Sequence, residues 1–235
     1  MEIVAIIPAR LASTRFPNKV LAKIGEKTLL QMVYERVKSV PTIDKIYIAT
    51  ADDEIKSCAH SFGAEVIMTS PGHRSGTSRI AEAVQNISGK IILNVQADEP
   101  LISPQLLAHL VNMMKTDSKI QILTPIKKIE NPQQYTDPNV VKVVFDKDNY
   151  ALYFSRQPIP TEGDKYKHIG VYCYRREVLL YYPQLEPSPL EKQEKLEQLR
   201  FLWHGYKIKV EITNYDSIGV DTPEDLEKVR EVLLL

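Results

Sequence analysis

Four short apolar runs in the first half of the chain, separated by amphipathic segments, constrain the fold more than any other feature. The runs are rich in β-branched residues, and they cover residues 2–8, 45–50, 64–69 and 90–96. Almost unbroken hydrophobicity of this kind is typical of parallel strands that helices cover on both faces. The segments between the runs carry apolar residues at helical spacing, around residues 29–37, 55–62 and 80–87. The order of these elements predicts a doubly wound α/β fold, with a mostly parallel mixed sheet and helices on both faces.

The second half of the chain is less regular and predicts a mixture of strands and helices. Strands are predicted, several of them at hairpin spacing, over residues 119–126, 139–146, 150–155, 168–174 and 206–212. Proline directly after a hydroxyl residue predicts helix starts at Ser103-Pro104, Ser188-Pro189 and Thr222-Pro223. Ser188 and Glu191 have the spacing of a capping box. Between Leu190 and Leu199 we expect one amphipathic helix, whose acids are mostly on a solvated face: Glu191, Glu194 and Glu197.

Length and composition predict a single domain in the cytoplasm. The chain has 235 residues, and no Ser/Gly-rich linker divides it, so we expect one domain over residues 1–235. Thirty basic residues balance thirty acidic ones, which argues against binding to nucleic acid. The two cysteines, Cys58 and Cys173, are too few for a disulfide framework and fit a reducing compartment. The apolar start, Ile3 to Ala9, is too short to span a bilayer and lacks a basic leader, so no membrane attachment is expected.

The loop after the first strand, residues 8–19, carries the first candidate site. It contains three cations, Arg10, Arg15 and Lys19, and two hydroxyl residues, but no glycine precedes Gly25. A P-loop and a dinucleotide fingerprint both need glycines at fixed offsets, so neither motif fits. Ligands of parallel α/β sheets bind beyond the carboxyl ends of the strands, where this loop begins. Arginine and lysine could hold a triphosphate there, and the alternative is a solvated basic loop.

The same string closely resembles the signature I-P-A-R-x-x-S-T-R-x-P-x-K of the 3-deoxy-manno-octulosonate (Kdo) cytidylyltransferases. Four more stretches resemble that family: His73 to Thr77 (HRSGT), Asn94 to Pro100 (NVQADEP), Tyr153 to Arg156 (YFSR) and Gly219 to Asp225 (GVDTPED). The matches extend from Ile7 to Leu226, essentially the full length. The resemblance implies a fold like that of the nucleotide-diphospho-sugar transferases. It also implies an enzyme of lipopolysaccharide biosynthesis that transfers CMP from CTP to the sugar acid Kdo and releases pyrophosphate.

By resemblance, the catalytic residues are two cations and two carboxylates. Arg10 and Lys19 would contact the phosphates of CTP, and Lys19 would offset the charge that develops at the α-phosphate. Asp98 follows an apolar strand and Asp221 precedes a well-marked helix, and the family pairs these two positions on Mg²⁺. Without the resemblance, Asp98 could instead cap the next helix, and Asp221 would be a turn or cap residue. Arg15 could bind CTP or could only anchor its loop.

The remaining candidates would bind the two substrates. The segment before the third predicted helix would recognise the cytidine half of CTP through Arg74, Ser75 and Gly76. The positions that the family uses to hold Kdo correspond to Gln96, Arg156, His168, Tyr172, Glu197 and Gln198. Taken alone, His168 would be an ordinary satisfied side chain and Tyr172 an ordinary strand residue. Residues 189–203 resemble a segment that packs between subunits in the family, which implies a homodimer.

The chain departs from the family pattern at three places. Ala97 stands where the family has glycine, which is costly if that glycine has positive φ and tolerable if only space matters. Asn18 also stands at a common glycine position, and asparagine best shares the positive φ range of glycine. The loop between Arg156 and His168 is short, so Lys165 or Lys167 could replace a sugar contact that longer relatives make.

Three alternative functions remain open from the sequence. A cytidylyltransferase for sialic acid or another sugar acid would keep Asp98 and the triphosphate loop but would differ between Arg156 and Tyr172. A nucleotide-sugar glycosyltransferase would share the nucleotide-binding half, but its usual Asp-x-Asp motif is replaced here by Ala97-Asp98-Glu99. A non-catalytic nucleotide-binding protein would not need both Asp98 and Asp221. These alternatives differ from the Kdo enzyme in acceptor or in turnover, so one assay can separate them.

Overall fold

The sheet that organises the molecule combines strands from both halves of the chain. The computed structural model describes residues 2–13, 15–73, 75–216 and 218–234. The strands are β1 (Ile3–Pro8), β2 (Lys23–Ile24), β3 (Lys27–Thr28), β4 (Lys45–Thr50), β5 (Glu65–Met68), β6 (Ile91–Asn94), β7 (Ile122–Lys128), β8 (Lys142–Phe145), β9 (Ala151–Ser155), β10 (Tyr166–His168), β11 (Tyr172–Arg175) and β12 (Ile208–Ile212). The helices are α1 (Leu29–Lys38), α2 (Asp53–Ser61), α3 (Gly76–Ala83), α4 (Pro104–Thr116), α5 (Pro132–Thr136), α6 (Arg176–Tyr181), α7 (Pro189–Glu194), α8 (Gln198–Trp203) and α9 (Pro223–Leu234). Short 3-10 turns cover Lys19–Leu21, Val84–Asn86 and Tyr182–Gln184.

The apolar runs of the first half form the predicted parallel strands. β1 lies between β4 and β6 and pairs with both in parallel, and β4 pairs in parallel with β5. The sheet continues from β6 through the antiparallel strand β11 to β7, which also pairs in parallel with β12. β8 and β9 extend it beyond β10. The predicted fold class, a doubly wound and mostly parallel mixed sheet, is confirmed.

Both faces of the sheet are buried, as the unbroken hydrophobicity of β1 predicts. Ile3, Ala5 and Ile7 pack into one core, which α1, α2 and α4 complete. Val4 and Ile6, which alternate with them, pack into a second core with α3, α6 and α8. Every residue of β1 is therefore buried, on one face or the other. Among the described residues, no helix is both long enough and apolar enough to cross a bilayer.

The strand predicted over 168–174 is divided into β10 and β11. β10 pairs with β8 and with the end of β7, whereas β11 pairs with β6 and with the start of β7. Between them, Ile169 N donates to Pro125 O at 3.0 Å and Val171 N donates to Ile169 O at 2.7 Å. Both strands pair with β7, but around Gly170 the strand on their other side changes from β8 to β6.

Hydroxyl residues begin α7 and α9 as predicted, but the capping box lies at a different helix. Ser188 Oγ accepts from Glu191 N at 3.0 Å, while the Glu191 carboxylate pairs with Arg200 at 2.6 Å and does not return to Ser188. At α9 the bonds are reciprocal. Asp225 N donates to Thr222 Oγ1 at 3.3 Å, and Thr222 N donates to Asp225 Oδ2 at 3.1 Å. The predicted Ser188 box is therefore only half formed.

The single amphipathic helix predicted after Ser188 is divided into α7 and α8. Lys195, between them, has a left-handed φ of 55°. The acids of this region bind within the protein, so the expectation that most of them are solvated was wrong. Glu194 Oε1 accepts from Ser155 Oγ at 2.9 Å, and Glu197 Oε2 accepts from Thr77 N at 3.3 Å. These carboxylates attach the segment to β9 and to α3.

Candidate active site

The loop after β1 folds back on itself beyond the carboxyl ends of the parallel strands. Leu11 N donates to Asp52 Oδ2 at 2.9 Å, and Asn18 N donates to Leu11 O at 3.2 Å. Asn18 is left-handed, with φ of 57° and ψ of 21°. The interpretation that asparagine replaces glycine there because it tolerates positive φ is confirmed.

Lys19 lies between two carboxylates from distant parts of the chain. Its Nζ is 2.6 Å from Asp98 Oδ2 and 2.8 Å from Asp221 Oδ1. Burial of the ammonium opposes its charge, but the two carboxylates outweigh burial and raise the pKa of Lys19. Arg15 adds a second cation, since its Nη2 is 2.8 Å from Asp221 Oδ2 and its Nη1 donates to Asn139 Oδ1 at 2.9 Å. Arg15 therefore anchors its loop to the segment before β8, and it also faces the site.

The backbone brings the two carboxylates together. Asp98 follows β6, and Val220 N donates to Asp98 O at 2.9 Å, so the segment before α9 lies against the end of β6. The helix after Asp98 is capped by Ser103, whose Oγ accepts from Leu106 N at 3.2 Å. Asp98 is therefore not the cap of α4, and its carboxylate is available to face the loop.

Asp98 and Asp221 fit a shared divalent cation. One oxygen of each carboxylate contacts the same ammonium, so the two already converge on one positive charge. In the described part of the chain, no cluster of three or more acidic, histidine or cysteine side chains could hold a metal ion. Mg²⁺ commonly takes one or two carboxylates and completes its shell with substrate phosphates and water. The donor set of this pair matches that pattern.

The charged cluster forms one wall of a cleft of about 550 Å³, a size that suits a small-molecule substrate. The predicted site residues that line the cleft are Arg10, Arg15, Lys19, Ser75, Gly76, Gln96, Asp98 and Asp221. Arg74, predicted to bind CTP, lies outside the described residues. The structure thus brings the first loop, the start of α3, the end of β6 and the start of α9 to one place.

The start of α3 lies close to Gln96. A Cβ added at Gly76 would lie 3.3 Å from Pro8 Cγ and 3.5 Å from Gln96 Oε1, so glycine leaves room for both side chains. Gln96 Nε2 also donates to Asn94 Oδ1 at 3.1 Å. Ser75 Oγ accepts from Ser78 N at 3.2 Å and begins the helix. The segment predicted to bind cytidine and a residue predicted to bind the sugar therefore share one wall.

Two residues of the cleft, His73 and Arg79, were not among the candidates taken from the sequence. His73 Nε2 pairs with the carboxylate of Glu82, which also accepts from Ser70 N at 3.0 Å and so fixes the segment before α3. Arg79 is only 4% exposed, and its Nη1 donates to Thr69 Oγ1 at 2.5 Å. Burial lowers the pKa of Arg79. A cation on an amphipathic helix usually predicts a solvated face, so only its closeness to the HRSGT stretch could have identified Arg79.

The six predicted sugar-binding residues do not line one cavity. Gln96 lines the cleft, and His168 lines a neighbouring cavity of about 480 Å³ that shares Arg15 and Asp221 with the cleft. Glu197 lines a third cavity, of about 630 Å³, on the side of α7 and α8. Burial raises the pKa of Glu197, although hydrogen bonds from Ser75 and Thr77 act in the opposite direction. The cavities adjoin one another, since the first and third also share Ser75.

The other three sugar candidates are held within the protein. Arg156 N donates to Glu194 Oε2 at 3.0 Å, and its Nη1 donates to Pro138 O at 2.9 Å. Tyr172 and Gln198 are each 5% exposed. The Tyr172 ring lies 5.2 Å from the His168 ring, and burial raises the pKa of its phenol. None of the three is among the residues that line the cleft, and their contact with a sugar stays a prediction.

The departures from the family pattern have local explanations. Among the described residues, the non-glycine residues with positive φ are Asn18, Asn149 and Lys195, so Ala97 does not require the conformational freedom of glycine. Lys167 pairs with Asp216. Lys165 Nζ lies 4.6 Å from the centre of a tyrosine ring and donates to a backbone carbonyl at 3.1 Å. Both lysines thus have protein partners, and a sugar contact by either one is untested.

Comparison with known proteins gives consistent matches over the whole chain. A family model described as Cytidylyltransferase matches residues 4–208. The chain is 47% identical to the 3-deoxy-manno-octulosonate cytidylyltransferase of Geotalea uraniireducens, with 99% of each chain covered. It is 48% identical to the protein of the same name from Solibacter usitatus, covering 97% of this chain and 93% of that one.

Solved structures agree with these sequence matches. A structure of CMP:2-keto-3-deoxy-manno-octonic acid synthetase complexed with CTP superposes with a TM-score of 0.95 at 38% identity, covering 100% of this chain and 99% of that one. A 4-diphosphocytidyl-2C-methyl-D-erythritol synthase from Anaerococcus prevotii superposes with a TM-score of 0.69 at 17% identity, covering 100% of this chain and 99% of that one. The second match shows a common fold and nothing more.

Proposed function

The chain belongs to the cytidylyltransferase family, and from this premise we propose that it transfers CMP from CTP to the sugar acid Kdo and releases pyrophosphate. The observation that carries the proposal is that Lys19, from the cationic loop, contacts both Asp98 and Asp221 in one cleft. A nucleotidyltransferase needs fixed positive charge at a triphosphate and carboxylates for a divalent cation, and this cleft has both.

The cations of the loop would hold the triphosphate and stabilise the transition state. An oxygen of the sugar hydroxyl attacks the α-phosphorus of CTP and gives up its proton to water. As the new O–P bond forms, the bond from the α-phosphorus to the oxygen that bridges to the β-phosphate breaks, and pyrophosphate leaves. Negative charge spreads over the phosphate oxygens during this step, so Arg10 and Lys19 would do more for the rate than any proton-transfer group. Arg15 would contribute to binding.

Asp98 and Asp221 would hold Mg²⁺. When bound, the metal would neutralise phosphate charge, activate the sugar hydroxyl and hold the leaving pyrophosphate. An ammonium and a metal ion cannot occupy the same point between two carboxylates. Lys19 would therefore exchange its carboxylate partners for phosphate oxygens when the metal and CTP bind together. This exchange gives Lys19 a different partner in each state of the site.

Two separate sets of residues would recognise the two substrates. The segment from Arg74 to Thr77 would recognise the cytosine base and ribose, and it favours pyrimidine over purine triphosphates because a pocket that hydrogen-bonds one base edge rejects a base that leaves its groups unpaired. The residues that would hold the sugar acid are Gln96, Arg156, His168, Tyr172, Glu197 and Gln198. Their support is the closeness of Gln96 to the start of α3 and the adjoining cavities.

The proposal also covers the cellular location and the oligomeric state of the protein. We propose a cytoplasmic homodimer that acts in lipopolysaccharide biosynthesis, with no membrane and no nucleic-acid partner. Large apolar side chains at the surface support a subunit interface, since Trp203 is 55% exposed and Leu152 is 61% exposed. Light scattering would test the dimer.

The decisive experiment measures pyrophosphate release from CTP and Mg²⁺ with Kdo, with sialic acid and without an acceptor. Release with Kdo alone supports the proposal. Preference for sialic acid would make the chain a related cytidylyltransferase. No release with either acceptor would contradict transferase activity, and equal competition of ATP with CTP would contradict the proposed reading of the base.

A further inference from the structure

Thr124, on β7, holds the ring of His168 from inside the sheet. Thr124 is fully buried, and its Oγ1 lies 2.9 Å from His168 Nε2. The same oxygen lies 2.7 Å from Val171 O and 3.3 Å from Ile169 O. One hydroxyl therefore has three neighbours, and two of them can only accept a hydrogen bond.

The direction of the Thr124 hydroxyl proton determines whether Nε2 of His168 carries a proton. At 2.7 Å from Val171 O, the Thr124 oxygen must direct its proton to that carbonyl, because two oxygens this close without a proton between them repel. The hydroxyl can then only accept from the imidazole. His168 Nε2 must therefore carry a proton. If the ring is neutral, Nδ1 carries a lone pair.

The surroundings of the ring keep it neutral. The Phe154 ring is nearly perpendicular to it, with the ring centres 5.3 Å apart, and the centre of the Tyr172 ring lies at 5.2 Å. Burial among these groups lowers the pKa of His168 to about 3. Neither of these ring contacts supplies a carboxylate that could pair with a protonated imidazole.

We infer that Thr124 fixes His168 as the neutral tautomer with a proton on Nε2, so that Nδ1 accepts a hydrogen bond from a hydroxyl group of the acceptor sugar. Among the described residues, Nδ1 makes no hydrogen bond, and His168 lines the cavity that includes Gly170 and Asp221. A lone pair attracts a hydroxyl and repels a carboxylate. His168 therefore recognises the polyhydroxyl part of the sugar acid, and the carboxylate of the sugar binds elsewhere. The contact with the sugar rests on the proposed function, whereas the tautomer does not.

Nitrogen NMR of the imidazoles tests the tautomer in the free protein. The signals of His168 are assigned by their loss in His168→Gln. We expect a pyrrole-like Nε2 and a pyridine-like Nδ1 at neutral pH. Thr124→Ser keeps the hydroxyl and should preserve this pattern, whereas Thr124→Val removes the acceptor and should draw the two nitrogen shifts together. A pyridine-like Nε2 in the unaltered protein overturns the inference.

Kinetics test the contact with the sugar. Thr124→Val should raise the KM for the sugar acid about three- to tenfold, as loss of one hydrogen bond does, and should leave the KM for CTP unchanged. Thr124→Ser should restore the normal value. Unchanged KM in Thr124→Val, with the ring signals altered, would show that Nδ1 does not meet the sugar. If the unaltered protein releases no pyrophosphate with any sugar acid, the proposed function fails while the NMR result stands.

Discussion

Lys19 and Arg15 present cations to the same carboxylate of Asp221, yet their exposure separates their roles. The side chain of Lys19 is 13% exposed, and that of Arg15 is 51% exposed. A cation at the rim mainly attracts an anionic substrate, which stabilises ground state and transition state alike. A cation fixed at the base of the cleft needs no reorganisation when charge develops at the α-phosphate. This difference in exposure supports the transition-state role proposed for Lys19.

Lys19→Ala should lower kcat on the order of 10²–10³-fold at saturating CTP, with a much smaller change in the KM for CTP. Lys19→Arg should restore only part of the rate, because a planar fork does not replace a compact ammonium. Lys23→Ala, which removes an exposed lysine from β2, is the matched control and should behave normally. Preserved kcat with a raised KM would show that Lys19 only binds CTP.

His168 makes stability depend on pH. Burial lowers the pKa of His168 from 6.5 to about 3 in the folded protein, so between these values the unfolded chain binds more protons. The free energy of unfolding should therefore fall as pH is lowered through this window, by up to about 1.4 kcal/mol per pH unit. His168→Gln should flatten that slope in urea titrations between pH 7 and pH 5. The exposed histidine of α2 gives the control, His60→Gln, and an equal slope in both variants would contradict the assignment.

Among the secondary-structure elements, the hydrophobic pattern predicted the strands whose position depends on local sequence and on burial in the core. Strands β1, β4, β5 and β6 lie within the apolar runs. β1 and β6 are fully buried, and burial on both faces of the sheet produces an almost unbroken apolar pattern. The region of α7 and α8 was not predictable in the same way. Its glutamates have the spacing of a solvated face, but their partners come from distant elements, as Ser155 and Thr77 show. Sequence spacing does not contain that information.

Substitution by glycine should have opposite effects on stability at two nearby positions, Lys195 between α7 and α8 and Lys192 inside α7. Lys195 has φ of 55°, a conformation that costs a non-glycine residue about 1–2 kcal/mol. Lys195→Gly should therefore raise the free energy of unfolding by roughly 0.5–1 kcal/mol. Lys192→Gly, an exposed position inside α7, should lower it by about 1 kcal/mol. Urea denaturation measures both, and destabilisation by both substitutions would show that the left-handed conformation is not strained.

At the scale of the whole molecule, the cleft depends on both ends of the chain. Lys19 and Asp221 are 202 positions apart and meet because Val220, before α9, donates to the backbone oxygen of Asp98, which follows β6. Motif resemblance predicted most of the cleft, because charged residues that follow parallel strands collect at one edge of the sheet. It did not predict how these residues contact one another. Nor did it identify Arg79 or Thr124, whose roles depend on burial and on neighbours from other strands.

The two carboxylates should therefore fail as a unit. Asp98→Asn and Asp221→Asn should each nearly abolish pyrophosphate release, and the double variant should be scarcely worse than either one, because residues that hold one metal ion are strongly non-additive. Circular dichroism should show that every variant is folded.

A binding measurement separates loss of the metal site from loss of activity alone. Mg²⁺ with CTP, added without an acceptor, should raise the unfolding temperature of the unaltered protein, because a ligand that binds only the folded state stabilises it by mass action. That increase should be largely absent in each single variant. Glu231→Gln, an exposed acid on α9, is the control and should keep it. Near-normal turnover at saturating Mg²⁺, or an undiminished temperature increase in either aspartate variant, would exclude the pair as the metal site, and additive losses in the double variant would mean that the two aspartates act separately.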